Sequence, residues 1–283
     1  MFIRIPKHKT MNSQSVTTPK ISRKHLALPL VVLVVTAPVW LGFFEPRLFY
    51  FMNRQLAVLP DLFWSALCML GTGWVVFALT APMLWRAPRV LVSWLGAAPL
   101  AGVFTRIGKV MADSPRPLEV LDAQAIHVIG EPLYVAAMPS GHTLTAFAAA
   151  TAIYFSLAPL GRRRFLWLFA LAAGVGLSRL AVGAHWPADV AIGAVLGIVS
   201  GLTGAWLGSR IAEKHVQVNS WLLRGVALVG VYSLYVLWTD RMGFENNMPL
   251  QYGLGVFLAA CLLIFFSKTV RHTQIPQPTR PTP

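Results

Sequence analysis

Pro187-Ala-Asp-Val-Ala-Ile-Gly-Ala-Val-Leu-Gly-Ile-Val-Ser-Gly-Leu-Thr-Gly-Ala-Trp-Leu-Gly208 carries no charged residue after Asp189, and the next is Arg210. A stretch of that length and greasiness is a helix that crosses a bilayer, whose hydrocarbon core needs roughly 17 to 25 apolar residues. Working outward, comparable runs read as spans at 26–45, 62–84, 90–108, 143–160, 165–184, 220–238 and 251–267, which with 187–208 makes eight. With 56% hydrophobic and 12% charged residues and a mean hydropathy of +0.61, the chain is excluded from the soluble enzymes and from disorder as its main state. The expected class is all-α, a polytopic transmembrane bundle forming a single domain over 26–267. The polar, basic first 25 residues and the Pro/Thr-rich stretch 268–283 read as disordered cytoplasmic tails. The first run lacks a small-x-small cleavage site and reads as an uncleaved anchor.

A net charge of +14 in a soluble chain would suggest nucleic acid, but the placement of the charges argues for topology instead. With a cytoplasmic N-terminus, 17 of the 24 Lys and Arg fall inside, including Arg86, Arg89 and Arg162-Arg163-Arg164 in short connections, whereas Glu213 alone of the ten acids does. A nucleic-acid partner is therefore not expected, and anionic headgroups are the natural counterpart. Cys68 and Cys261 lie within spans and read as small apolar packing residues, and no motif offers a metal site.

Polar residues gather in three clusters. The first, from Lys109 to Arg116-Pro117, ends the third span; the second, Pro139-Ser140-Gly141-His142, starts the fourth; the third runs from Ser178-Arg179 to His185 and Asp189. Two complete crossings separate the second from the third, so all three lie on one side. Singly, Lys109, Arg116 and Arg179 read as interfacial snorkellers and Ser140 as an ordinary helix cap. Together they do not: with Arg106 they supply four of the seven cations on the outer face, where the positive-inside tendency disfavours them.

An anion explains the clustering, and phosphate suits the donors. Ser140 and Gly141 open a helix whose N–H groups and dipole favour negative charge, Arg116 and Arg179 offer two-pronged contacts, and Lys109 adds a point charge. His185 precedes Asp189 by four residues, one helical turn, so the carboxylate can hold one ring nitrogen and leave the other as a lone pair for attack. His127, in a loop and without such a partner, reads as structural.

These residues resemble the signature of the type 2 phosphatidic acid phosphatase superfamily: Lys109 with Arg116 and Pro117, then Pro139, Ser140, Gly141 and His142, then Ser178, Arg179, His185 and Asp189. The resemblance covers roughly 60–208, a six-span phosphatase core, and leaves the seventh and eighth spans as additions. It implies a metal-independent membrane phosphatase with no cofactor, in which His185 attacks phosphorus to form a phosphohistidine and Asp189 holds its tautomer. His142 then acts as acid and base, and Lys109, Arg116, Ser140, Gly141 and Arg179 bind the phosphate oxygens. The implied substrate is a phosphorylated membrane lipid of the isoprenoid diphosphate, phosphatidylglycerol phosphate, phosphatidate or lipid A class. The expected location is a bacterial inner membrane, with the site facing the periplasm and both termini cytoplasmic. Transfer of phosphate to a second lipid remains open, as does a lipid transporter or scaffold that binds without cleaving. Oligomeric state is not readable.

Overall fold

A computed structural model describes residues 22–42 and 45–274. Among these the fold is entirely helical and contains no strand. A 3-10 turn leads into α1 (Ala27–Val35) and α2 (Ala37–Trp40), followed by α3 (Arg47–Leu56), α4 (Asp61–Met69), α5 (Gly73–Thr80), α6 (Met83–Arg86) and α7 (Pro88–Ala112). The short α8 (Pro117–Val120) precedes α9 (Gly141–Ser156), α10 (Pro159–Arg162), α11 (Trp167–Ala181), α12 (Pro187–Arg210), α13 (Trp221–Thr239) and α14 (Met248–Gln274).

Each of the eight expected spans contains helix, but not every one is a single helix of membrane length, and residues 43 and 44 of the first lie outside the described residues. Five described helices are individually long and apolar enough to cross, and α4 with α5 makes a sixth if a pair bent by 77° counts as one span. The first expected span breaks after Val35, ahead of Pro38, and the fourth is the 16-residue α9. Eight crossings are therefore an expectation the helix lengths do not establish. The tail boundary shifts as well. Helix α14 continues through Gln274, seven residues beyond the expected end at 267, because nothing between Lys268 and Gln274 breaks it. Residues 1–21 and 275–283, expected to be disordered, lie outside the described residues.

The centre of the bundle is α12 packed on α9 and α7. A side-chain Cβ placed on Gly193, Gly197 or Gly201 would lie 2.8, 2.5 or 2.6 Å from the carbonyl oxygens of Ser140, Leu144 and Ala148 respectively. The contacts advance four residues on both helices together, so α9 and α12 run parallel with their backbones in near contact, the small-xxx-small packing that suits helices in lipid. This register sets the start of α12 beside the start of α9, and Ser140 N donates to Asp189 O at 3.0 Å. At the opposite end Arg89 caps α12, donating to Gly208 O and Ile211 O and pairing with Glu213. Helices α13 and α14 pack on each other and on α5.

Candidate active site

The site is assembled at the end where α9 and α12 begin. Ser140 caps α9: its Oγ accepts from Thr143 N and Oγ1, which leaves the Ser140 hydroxyl proton free to donate elsewhere. Pro187 opens α12 with a ring that needs no N–H partner, and Trp186 N donates to Asp189 Oδ2 at 2.8 Å across its first turn. That bond and the helical spacing bring His185 Nδ1 to 3.2 Å from the same carboxylate oxygen, with both residues buried.

Arg116 reaches this pair from a loop laced to its neighbours. Arg116 N donates to Tyr134 O, Ala137 N to Ser114 O, and Trp186 Nε1 to Pro115 O. The guanidinium donates to Val135 O at 2.7 Å and Ala184 O at 2.9 Å, and its Nη1 stands 3.4 Å from His185 Nε2. Because a guanidinium only donates, the ring nitrogen facing it is best occupied by a lone pair, and the proton then belongs on Nδ1 against Asp189. Both neighbours select one tautomer. Burial first, then the charges of Arg179, Arg116 and Lys109, hold the His185 imidazole well below its ordinary pKa, so it is neutral at neutral pH.

Lys109, in the last turn of α7, donates to Ala136 O, and Arg179, in the last turn of α11, donates to Cys68 Sγ. Arg179 Nε and Asp189 Oδ1 are buried without a hydrogen-bond partner among the described residues. A buried guanidinium N–H left unpaired is costly unless an anion takes it. Arg116 and Arg179 are both almost fully buried, at 8% and 3% exposure, which disposes of the snorkelling reading. The structure thus gathers Arg116, Ser140, His185 and Asp189 through direct contacts, with Lys109 and Gly141 lining the same cavity as His142.

That cavity, about 670 Å³, runs between α7, α9 and the α4–α5 bend. Its wall is mostly apolar, with Ala98, Ala101, Gly102 and Ala149, and its polar end carries Arg106, Lys109 and His142. Gly71, at the bend, allows the approach: a Cβ there would lie 2.6 Å from the Cβ of His142.

The sequence reading missed three supports. Glu45 Oε1 accepts from Ala188 N at the start of α12. Phe49 sets its ring against Trp186. Asn53 donates to His127 O, Leu180 O and Ala181 O and accepts from His127 N, tying α3 to the residues after Arg179. Phe49 and Asn53 stand four apart on α3, an i, i+4 pair on a helix too polar to be read as a span, and Glu45 lies four residues earlier, ahead of the helix. His127 also needs correction. Its Nε2 lies 2.8 Å from Asp61 Oδ1, so it has a carboxylate partner, one 66 positions away in sequence that local spacing could not reveal. Cys68, expected to be simple packing, is buried as foreseen but also contacts Arg179.

Residues 90–212 match the family model of the PAP2 superfamily, a range that holds all three polar clusters. The match takes in less than half of the chain. Over 81 residues the chain is 37% identical to the lipid A 1-phosphatase of Porphyromonas gingivalis and 38% identical to the bacitracin transport permease protein BcrC of Bacillus licheniformis. Each match takes in 29% of this chain, and they span 18% and 38% of those two proteins. Among solved structures, Aquifex aeolicus LpxE is similar with 29% identity and a TM-score of 0.49, covering 56% of this chain and 92% of that one. A PAP2 type phosphatidylglycerolphosphate phosphatase from Bacillus subtilis gives 13% identity and a TM-score of 0.48, with 66% of this chain and 98% of that one covered. Helices α13 and α14 lie wholly outside the PAP2 range.

Proposed function

We propose that this multi-pass membrane protein is a lipid phosphatase that works through a phosphohistidine. The observation that carries the reading is the His185 ring held between Asp189 on Nδ1 and Arg116 on Nε2, inside a buried group of cations. His185 Nε2 attacks phosphorus in line, and Asp189 stabilises the imidazolium as the new N–P bond forms. Lys109, Arg116, Arg179, Ser140 and the Gly141 N–H hold the equatorial oxygens, where charge accumulates in the transition state. His142 protonates the leaving oxygen, then takes a proton from the water that cleaves the N–P bond.

The apolar cavity ending at Lys109 and His142 supports a substrate whose tail stays in lipid. The relative named as a lipid A 1-phosphatase agrees with that class. The charge distribution supports a site on the periplasmic side of a bacterial inner membrane, with cytoplasmic termini. The test is phosphate release by the purified protein from isoprenoid diphosphate, phosphatidylglycerol phosphate, phosphatidate and lipid A, beside His185→Ala. Release from at least one lipid, abolished in the variant, is expected. Near-normal turnover by folded His185→Ala removes the covalent step.

A further inference from the structure

His142 lines two cavities and is the single residue they share. One is the apolar groove of about 670 Å³ described above. The other, about 220 Å³, is lined by His142, Arg179, Glu131, Leu133 and the segment Met242-Gly243-Phe244. That segment belongs to the connection between α13 and α14, the two helices beyond the PAP2 range.

The connection is held in place. Glu131 N donates to Gly243 O at 3.1 Å, and a Cβ on Gly130 would lie 2.4 Å from that oxygen and 2.6 Å from Phe244 Cδ1. Gly130 also has φ +80°, so two constraints require glycine there. Phe244 is buried beside Trp64, Cys68, Ile129 and Val182. Ser65 Oγ donates to Asn247 Oδ1 at 3.0 Å, and Gln251 Nε2 donates to Asp240 O at 2.7 Å.

We propose that the α13–α14 connection walls a water chamber at His142, so that the second half-reaction draws its acceptor from this chamber and not from the lipid groove. This rests on the phosphohistidine reading above. A chamber of 220 Å³ has room for about seven waters at about 30 Å³ each, and Arg179, Glu131 and His142 give them polar partners. Two openings onto one acid–base group separate the two exchanges. The lipid leaving group departs along the groove, and the acceptor enters through the chamber to the apical position that it vacates, opposite Nε2. In that step the acceptor oxygen bonds phosphorus, the His185 Nε2–P bond breaks with its electron pair returning to the imidazole, and the acceptor's proton passes to His142. The wall limits the acceptor's size. A second lipid is excluded, and water or a very small alcohol is admitted.

The experiment supplies methanol or glycerol at equal concentration with a lipid phosphate that the protein hydrolyses, and compares methyl phosphate and glycerol phosphate with free phosphate. Wild type is expected to transfer to methanol and at least about tenfold less to glycerol, which exceeds methanol by two carbons and two hydroxyls where one methylene alone is worth about tenfold or more in a pocket. Phe244→Leu, which enlarges the chamber, raises the glycerol share. Leu133→Phe, at a position 38% exposed and therefore tolerant of bulk, lowers the methanol share. Equal use of both alcohols by wild type, or two variants that release phosphate yet partition as wild type, overturns the chamber. A wild type that releases no phosphate from any lipid overturns the phosphatase reading itself, a separate result.

Discussion

The His185 imidazole and the Asp189 carboxylate meet at 3.2 Å, Nδ1 to Oδ2, one helical turn apart at the start of α12. Only an acceptor at that point keeps the proton on Nδ1 and the lone pair on Nε2. Asp189→Asn can turn an amide N–H toward the ring and favour the opposite tautomer. Single-turnover measurements are expected to show phosphoryl transfer slowed about 10⁴-fold, the scale of the corresponding change in a Ser-His-Asp triad, with the fold retained by circular dichroism.

A buried histidine among cations resists protonation. With the His185 pKa depressed by burial and by Arg179, Arg116 and Lys109, the nucleophile stays neutral as pH falls through the ordinary imidazole value of about 6.5. The acid limb of kcat/KM is expected below that value. Arg116→Gln removes one of the depressing charges and shifts the limb upward. The linkage has the same sign for stability: below about pH 6.5 the unfolded imidazole takes a proton that the folded one refuses, so stability contributed by this group is present above that pH and lost as pH drops. Chemical denaturation between pH 8 and 5 reads it.

Arg116→Ala takes away a donor from the phosphate while leaving its loop tied through Ser114, Pro115 and Trp186. A loss of about 100-fold or more in turnover is expected from a folded protein, by comparison with removal of an oxyanion donor. With guanidinium and ammonium groups placed to neutralise the phosphoryl charge, EDTA is expected to leave wild-type release unchanged. Loss restored only by a divalent ion would point to metal chemistry instead.

Gly197→Ala tests the register on which the site depends. The added methyl would stand 2.5 Å from Leu144 O, and a backbone carbonyl cannot swing aside as a side chain does. The helices must separate, at a cost of about 1–3 kcal/mol for an overpacked core. Thermal unfolding in detergent is expected at lower temperature, and activity is expected to fall further than stability, because the strain moves Asp189 relative to Ser140.

The three polar clusters were legible in the sequence because each is local and because cations on a disfavoured face stand out from an apolar background. Parity of crossings placed them on one side, and the structure packs them together. What escaped the sequence depends on pairings between distant segments. Asp61 lies far from His127, Cys68 from Arg179 and Phe244 from His142, with no local pattern to connect them. Helix α3 escaped because two positions, Phe49 and Asn53, are too few to make a pattern. The span count was harder still, since hydropathy reports composition and says nothing of the break at Thr36 or the sharp bend at Gly71.

Helix α9, with its 16 residues, rises only about 24 Å, some 6 Å less than a hydrocarbon core of about 30 Å. Lipid need not absorb that shortfall, because Ser140 is fully buried and most of α9 is enclosed by α7, α11 and α12. A ligand therefore meets the donors inside the protein, past the apolar wall of the groove.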